Sequence, residues 1–513
     1  MNHILGKNRQ QINFASLEDF ITPENPIRFI DAFVDKLDLE KLQFKVMVLK
    51  TEGRPAFESK LFLKIYLYGY LNGIRSSRRF EKECMRNREL QWLTNDLQPN
   101  YHSIADFRKN NPIALRNVFK LFVLFLKDMD LVSGATVAID GTKVRASNSK
   151  KNNFNPKKIE RHIQYIEEKT NEYLNQIEHA DQQEDCVKIN HIAEKIERLK
   201  KNKLKYELLQ ETLDKSGEPQ VSTTDADARA LLVQGQVVEV SYNMQAAVDS
   251  KNKLIIATHT INRNDRNALA TIAKEAKENL GVDTMTAILD KGYHNGREIQ
   301  ESKDAGITTV IAPSEIVNSN TKGTTPAYMV TQFKYNEDDD TYTCPQGSTL
   351  KTTGTWHKKS RERDSYSFKK YRTSECKNCP VKHLCTGKAT GGREIERSQY
   401  AQAVEENNTR YKNNAALYRT RQELNEHIFG TMKRQWGYNH TNLRGLLKVN
   451  GEHSLICLVY NIKRVLNILG IDDLMKKIKN WVPDYSRIPL FSYFLNALDP
   501  KCETQNFEYK MAA

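Results

Sequence analysis

Two aspartates end apolar runs, and each is followed within two residues by glycine. "ATVAIDGTKVRA" (135–146) climbs to Asp140 and Gly141, and "TAILDKGYHN" (286–295) climbs to Asp290, Lys291 and Gly292. Asp and Gly punctuate strands for ordinary backbone reasons, so a turn is the plain reading. The chemical reading is a pair of rigidly held oxygen ligands. Hard cations such as Mg2+ take carboxylate oxygens. Two such cations, roughly 3.5–4 Å apart, can flank the attacking and leaving oxygens of a phosphodiester. Neighbouring strands lie about 4.8 Å apart, so Asp140 and Asp290 could grip metal from both sides if their strands are neighbours.

A third acid belongs to such a site. "YRTRQELNEHIFGTMKRQWGY" (418–438) predicts a helix carrying Glu423 and Glu426, about 60° apart around its axis. Arg419 and Lys433 lie seven residues either side of Glu426 and share its face. That mixture suits a metal ligand flanked by phosphate contacts; an exposed, salt-bridged helix is the plainer alternative. Asp249 and Asp265 also sit at element ends, and their expected roles are structural: a turn residue and a helix N-cap.

Four of the eight cysteines are scattered, at Cys84, Cys186, Cys457 and Cys502. The other four are Cys344 in "TCPQG" and Cys376, Cys379 and Cys385 in "ECKNCPVKHLC". Cys-x2-Cys beside turn residues is metal-ligand spacing, and four thiolates make a closed tetrahedral zinc site. His383 is a substitute ligand, and four reduced, unligated cysteines are the alternative. Residues 351–390 hold eleven Lys and Arg against three Asp and Glu, a basic module suited to DNA.

The elements that must position these groups follow from periodicity. Residues 15–130 read as short helices with tight breaks, like a helix-turn-helix arrangement. Ser76 or Ser77 is expected to cap one helix, and Ser103 with Asp106 to form a capping box. Arg75, Arg78 and Arg79 gather at one helix start, either as a phosphate-contacting face or as a solvated basic one. Residues 156–215 predict an antiparallel helical hairpin, turning near "EHADQQED". From 136 to 312, strands alternate with helices: "TVAID", "VVEVSYNMQAAVD", "KLIIATHTI", "TMTAILD" and "ITTVIAP" are the strands. This argues for an α/β sheet. Apolar periodicity vanishes over 340–395, and helix returns from 397 to about 470.

The chain has 513 residues, 39% hydrophobic, with a formal charge of +14. That surplus suits a polyanion, since each phosphate-neutralising cation releases counterions. No run reaches about 18 uninterrupted apolar residues, so no membrane span is expected. The amino terminus lacks the apolar core of a signal peptide, and a reducing cytoplasm is the expected compartment.

The three acidic segments resemble the signatures of DDE transposases from bacterial insertion sequences. "AIDGTKVRA" resembles the first motif, "ILDKGYHN" the second, and "RQELNEHIFGTMKRQWGY" the third, with Tyr, Arg, Glu and Lys at set spacing. Tyr418 and Arg421 are separated by the expected two residues, Glu426 and Lys433 by the expected six. Arg421 and Glu426 leave four residues between them where the usual pattern leaves three; Glu423 meets that step after Arg419 but loses the lysine. "TEGRPAFESKLFLKIYLYGYLNGIRSSRRFEKEC", "YHSIADFRKNN" and "SYNMQAAVD" carry the likeness through most of the chain.

The resemblance implies a ribonuclease-H-like mixed sheet at 133–320 and 397–475, and an N-terminal all-helical DNA-binding domain at 1–132. It further implies the helical-hairpin insertion at 156–215, a small Cys-rich insertion at 330–396, and a tail at 476–513. By the same likeness, Asp140, Asp290 and Glu426 hold two Mg2+ ions, with Mn2+ as a substitute. Lys433, Arg421 and Tyr418 contact DNA, alongside Arg75, Arg78 and Arg79. The implied activity is cleavage at element ends and transfer of the 3′-hydroxyl to target DNA. The partners would be double-stranded DNA and a second copy of the chain, with no membrane. A related nuclease without strand transfer, or an inactive DNA-binding protein, are the rival readings.

Overall fold

The structure is a computed structural model and describes residues 10–12, 14–45, 56–181, 186–233, 237–313, 324–360, 365–388 and 390–488. The first helices are α1 (Ile27–Asp35), α2 (Ser59–Leu71), α3 (Ser77–Arg86), α4 (Arg88–Leu93), α5 (Tyr101–Asn110) and α6 (Pro112–Asp128). Helix α6 starts on proline, whose missing N–H costs nothing at a helix start. Residues 114–126 are all buried, so it is the hub on which the others pack. Phe29 and Phe33 of α1 meet Phe122 edge-on, with ring centroids 6.3 and 5.2 Å away.

The caps differ from expectation. Ser76 occupies the N-cap of α3 without a side-chain bond. Asn100, not Ser103, caps α5, accepting from the Ser103 N–H at 2.8 Å. Asn87 caps α4 through the Glu89 and Leu90 N–H groups. An asparagine one turn earlier captured the free N–H groups first, which left Ser103 inside its helix.

The central sheet contains β1 (Thr136–Arg145), β4 (Arg229–Val233), β5 (Val237–Asp249), β6 (Ile255–Ile261), β7 (Met285–Leu289) and β8 (Ile307–Ile311), while β2 (Asn153–Phe154) and β3 (Val221–Ser222) form a separate ribbon. Across the sheet the strands run β6-β5-β1-β7-β8, and β4 pairs the first half of β5. β5 is antiparallel to both β1 and β6, whereas β7 is parallel to β1 and β8 is parallel to β7. Four of the five strands expected from sequence alternation lie here within two residues of the expected ends. β1 runs five residues further, through Arg145, and the β4 hairpin strand was not foreseen.

Side-chain alternation decides what each face of the sheet meets. Val137 and Ile139 enter the large core shared with α6, α9 (Leu269–Leu280) and α14 (Leu446–Asn480). Ala138 points the other way, with Ile288, Val310 and Leu424. Helix α9 ends on Gly281 in the left-handed region at φ 55°, a conformation that favours glycine.

Helices α7 (Pro156–Asp181) and α8 (Cys186–Ser216) rise from the β2–β3 ribbon. They lie antiparallel: Ile159 meets Leu213 at the base, and Lys203 pairs with Glu167 at 2.8 Å further along. The expected turn within "EHADQQED" falls partly outside the described residues, as does Cys502. Helix α14, kinked at Gly470, is long and apolar enough to cross a bilayer by length and composition alone. Here its residues 449–462 are buried against α6 and β6 instead.

Residues 334–398 build a second sheet of β9 (Lys334–Asn336), β10 (Thr341–Thr343), β11 (Thr349–Thr352), β12 (His357–Lys359), β13 (Tyr366–Arg372) and β14 (Ile395–Ser398). Among the described residues its core cluster is Phe333, Tyr342, Leu350, Tyr371 and Ile395, with Tyr335, Cys344 and Cys385 packed at the edge. Five of the six strands have three or four residues, too little alternation to be read from sequence. Helices α10 (Gly296–Asp304), α11 (Lys382–Cys385), α12 (Ala401–Asn413) and α13 (Ala415–Gly430) complete the chain.

Candidate active site

β1 and β7 are neighbours, and their parallel register pairs Ile139 with Leu289. The next residue on each is aspartate, so Asp140 and Asp290 stand side by side. Arg421 of α13 reaches both: Nη1 lies 3.3 Å from Asp140 Oδ2, and Nη2 lies 3.7 Å from Asp290 Oδ1. Leu424 holds the helix there by packing on Ala138, Ile288 and Val310.

Burial pushes the Asp140 carboxyl up to about 6; the Gly141 N–H and Arg421 oppose the rise, and the negative charges of Asp265 and Asp290 add to it. The glycine after Asp140 has a packing reason. A Cβ on Gly141 would stand 2.2 Å from Gln245 Nε2 and 2.5 Å from Asp265 Oδ1. Alternation puts Gly141 on the face opposite Asp140, so Asp265 acts on Asp140 from across the sheet.

Asp265 was expected to cap a helix, and it does not. Asn264 precedes the short helical turn 265–267, and α9 begins only at Leu269. The Asp265 carboxylate accepts from Asn243 Nδ2 at 2.8 Å, Gln245 Nε2 at 2.9 Å and Lys143 Nζ at 3.0 Å. Burial works against its charge, yet these donors hold its pKa below the usual carboxylate value. Only the alternating polar residues in "SYNMQ" hinted at that cradle. Asp249, by contrast, takes the expected turn role, accepting from Ser133, Gly134 and Lys251 N–H groups.

The late helix turns a different face from the one expected. Leu417, Leu424 and Ile428 are covered by the sheet and core, so Arg421 shares the inward stripe. Glu426 lies five positions on, about 140° around the axis from Arg421. It is exposed, and its carboxylate accepts from Gln422 at 2.7 Å. Glu423 is also exposed and pairs with Lys253 at 2.6 Å. Neither glutamate reaches the aspartates, and among the described residues no three His, Cys, Asp or Glu side chains stand close enough to hold an ion. The residue one turn beyond Arg421 is Asn425. It is 1% exposed, and neither its amide oxygen nor its nitrogen has a hydrogen-bond partner among the described residues.

The expected DNA contacts are spread unevenly. Lys433 is drawn inward, donating to the Lys143 carbonyl at 2.6 Å, and burial lowers its pKa. Tyr418 is half-buried, its ring 4.8 Å from Tyr411, with Arg421 over its face. Arg75 is spent as an internal strut: it donates to the Gly437 and His440 carbonyls, lies 3.5 Å from Glu452 and stacks on Tyr438. Closure of the 437–440 loop over the helix start removes it from the surface. Arg78, over Tyr101, and Arg79, beside Glu83, stay exposed.

Comparison with known proteins bears on this geometry. Residues 343–466 match the family described as "Transposase DDE domain", and residues 15–110 match "Transposase domain (DUF772)". The two matches support a DDE-type transposase of an insertion sequence. The first match includes α13 with Arg421 and Glu426, and Lys433 just beyond it; neither match includes Asp140 or Asp290. The transposase finds no match among curated proteins. Among solved structures it aligns with a cryo-EM structure of the piggyBac transposase synaptic complex with hairpin DNA. That alignment covers 92% of this chain and 84% of the other, at 9% identity and a TM-score of 0.30, too loose to carry an argument.

Proposed function

We propose that this transposase cuts DNA at the ends of its element and joins the freed 3′-hydroxyl to target DNA, on a ribonuclease-H-like sheet. The strand order β6-β5-β1-β7-β8, antiparallel first and parallel afterwards, supports that fold reading. The observation that carries the activity is the pairing of Asp140 and Asp290 on adjacent strand ends, bridged by the Arg421 guanidinium.

The residues present fit a divalent cation in part. Two carboxylates converge, a guanidinium already stands in as their cation, and the buried amide of Asn425 lacks partners on the same helix stripe. Asp140 and Asp290 would hold Mg2+, or Mn2+ in its place, and the ion would activate water and stabilise the leaving oxygen. Glu426 would complete the set only by a turn of α13. Arg421, which here bridges the two carboxylates, would instead offer its fork to a phosphate of the cut strand. Asp265, saturated by Asn243, Gln245 and Lys143, holds charge beneath the site and is no ligand. Double-stranded DNA is the proposed partner, with a second copy of the chain to bring two ends together.

A supercoiled plasmid carrying the element's ends tests this. The expected result is Mg2+-dependent cutting at the ends and a product joined to new DNA. Asp290→Asn should abolish both while DNA binding persists. Cutting without joined product would favour a nuclease, and DNA binding with no Mg2+-dependent cutting would end the catalytic reading.

A further inference from the structure

The second sheet has a small core cluster, yet it holds the long segment 373–393, where the described residues form a helical turn at 374–377 and a four-residue helix. Something other than apolar burial must fasten that segment. Four cysteines meet at one small cavity of about 30 Å3, together with Arg393. Cys344 comes from the β10–β11 turn, where its N–H donates to the Ser348 carbonyl at 2.9 Å and its carbonyl accepts from Gly347. Cys376 lies in the helical turn 374–377, Cys379 just beyond it, and Cys385 ends α11. All four are free thiols. The chain returns tightly over them: a Cβ on Gly392 would stand 2.3 Å from Cys376 Cβ.

We propose that Cys344, Cys376, Cys379 and Cys385 bind one structural zinc ion that ties the 374–385 turn to the β10–β11 hairpin. His383 is excluded as a ligand because it is exposed on α11, outside the lining of the cavity. The thiols ring the cavity without yet standing at ligating distance. A χ1 step swings a cysteine sulfur without moving its backbone. On binding, each thiol gives its proton to solvent as its sulfur–zinc bond forms, so four thiolates surround a dication. The complex carries net negative charge, and the Arg393 guanidinium, which donates to the Cys385 carbonyl at 3.4 Å, sits beside it. Burial and the other three sulfurs push the Cys385 thiol up, and Arg393 opposes the rise.

The test uses the full chain without DNA, so its outcome is independent of the catalytic reading. Protein grown with zinc is assayed for metal content by mass spectrometry, then reloaded with Co2+. One equivalent of zinc and a tetrahedral thiolate–cobalt absorption spectrum are expected. The Cys376→Ser/Cys379→Ser variant should lose the metal, while His383→Ala keeps a full equivalent. Alkylation of the unsubstituted protein needs no variant: the four thiols should react only after chelator is added. Substoichiometric zinc with four freely alkylated thiols, disulfide pairs among them, or loss of metal in His383→Ala would each overturn the proposal.

Discussion

Asp140 is where protonation and the proposed metal binding would compete. Its carboxyl holds a proton up to about pH 6 in the folded chain, against 3.8 in the unfolded one. Between those values the folded state binds more protons, so this group's contribution to stability is lost as pH rises. In chelator, Asp140→Asn should remove that loss and raise the Tm above pH 6 by on the order of 3 °C, read from melting curves at several pH values. Cleavage should run the opposite way, rising with pH through about 6 as the carboxylate becomes available. Arg421 competes for the same oxygens. Arg421→Met should bind Mn2+ several-fold more tightly, by electron paramagnetic resonance titration, and cleave DNA more slowly. Weaker Mn2+ binding would show that the guanidinium organises the carboxylates instead of blocking them. At this scale the two aspartates were legible, because each ends an apolar run. Asp265 was not, because its donors Asn243 and Gln245 come from a strand twenty residues earlier and look like ordinary alternation.

Helices and strands were legible where periodicity was long enough to outweigh local noise. β5 matched its expected bounds, its thirteen residues carrying Val237, Val238, Val240, Tyr242 and Val248 with no helical period to compete. The rotation of α13 was not legible. Its acidic and basic residues marked a plausible functional face, but the face turned inward is the one whose leucines and isoleucine bury most apolar area. Arg421 and Asn425 follow that stripe, and Glu426 does not. Helix α14 makes a sharper point about packing. Gly451 passes against Pro112, and an added Cβ would come within 2.7 Å of Pro112 Cα and 2.8 Å of its carbonyl oxygen. Both contacts are backbone, so neither can swing aside. Gly451→Ala should therefore cost about 1–3 kcal/mol in chemical denaturation. An unchanged midpoint would mean that α14 and α6 are less tightly joined than described.

Across the whole molecule, the helical region and the sheet are joined by buried charge. Glu275 of α9 takes Arg116 at 2.6 Å and Lys120 at 3.8 Å, both from α6, and all three side chains are almost wholly buried. Glu275→Ala would take away the carboxylate that two buried cations share, a loss typically worth about 3–5 kcal/mol. Urea unfolding should show that loss as a lower midpoint. A separate early transition would mean that the two regions uncouple before either unfolds. Arg75 and Arg108 meet Glu452 in a second such joint, at 3.5 and 3.6 Å. Basic residues that look like a polyanion surface in sequence are thus partly consumed in holding the regions together. The formal surplus of +14 over the whole chain is still ample for a phosphate backbone.

The sequence by itself determined which residues could do chemistry: aspartates ending strands, a basic helix rich in signatures, and cysteines at ligand spacing. These are local facts, fixed by the periods of 2 and 3.6 and by spacing along the chain. Tertiary structure decided the rest: that β1 lies beside β7, that α13 presents Arg421 and not Glu426, and that Cys344 closes on the other three thiols. Each depends on which apolar surfaces win burial between segments far apart in the chain, a competition that no local pattern records.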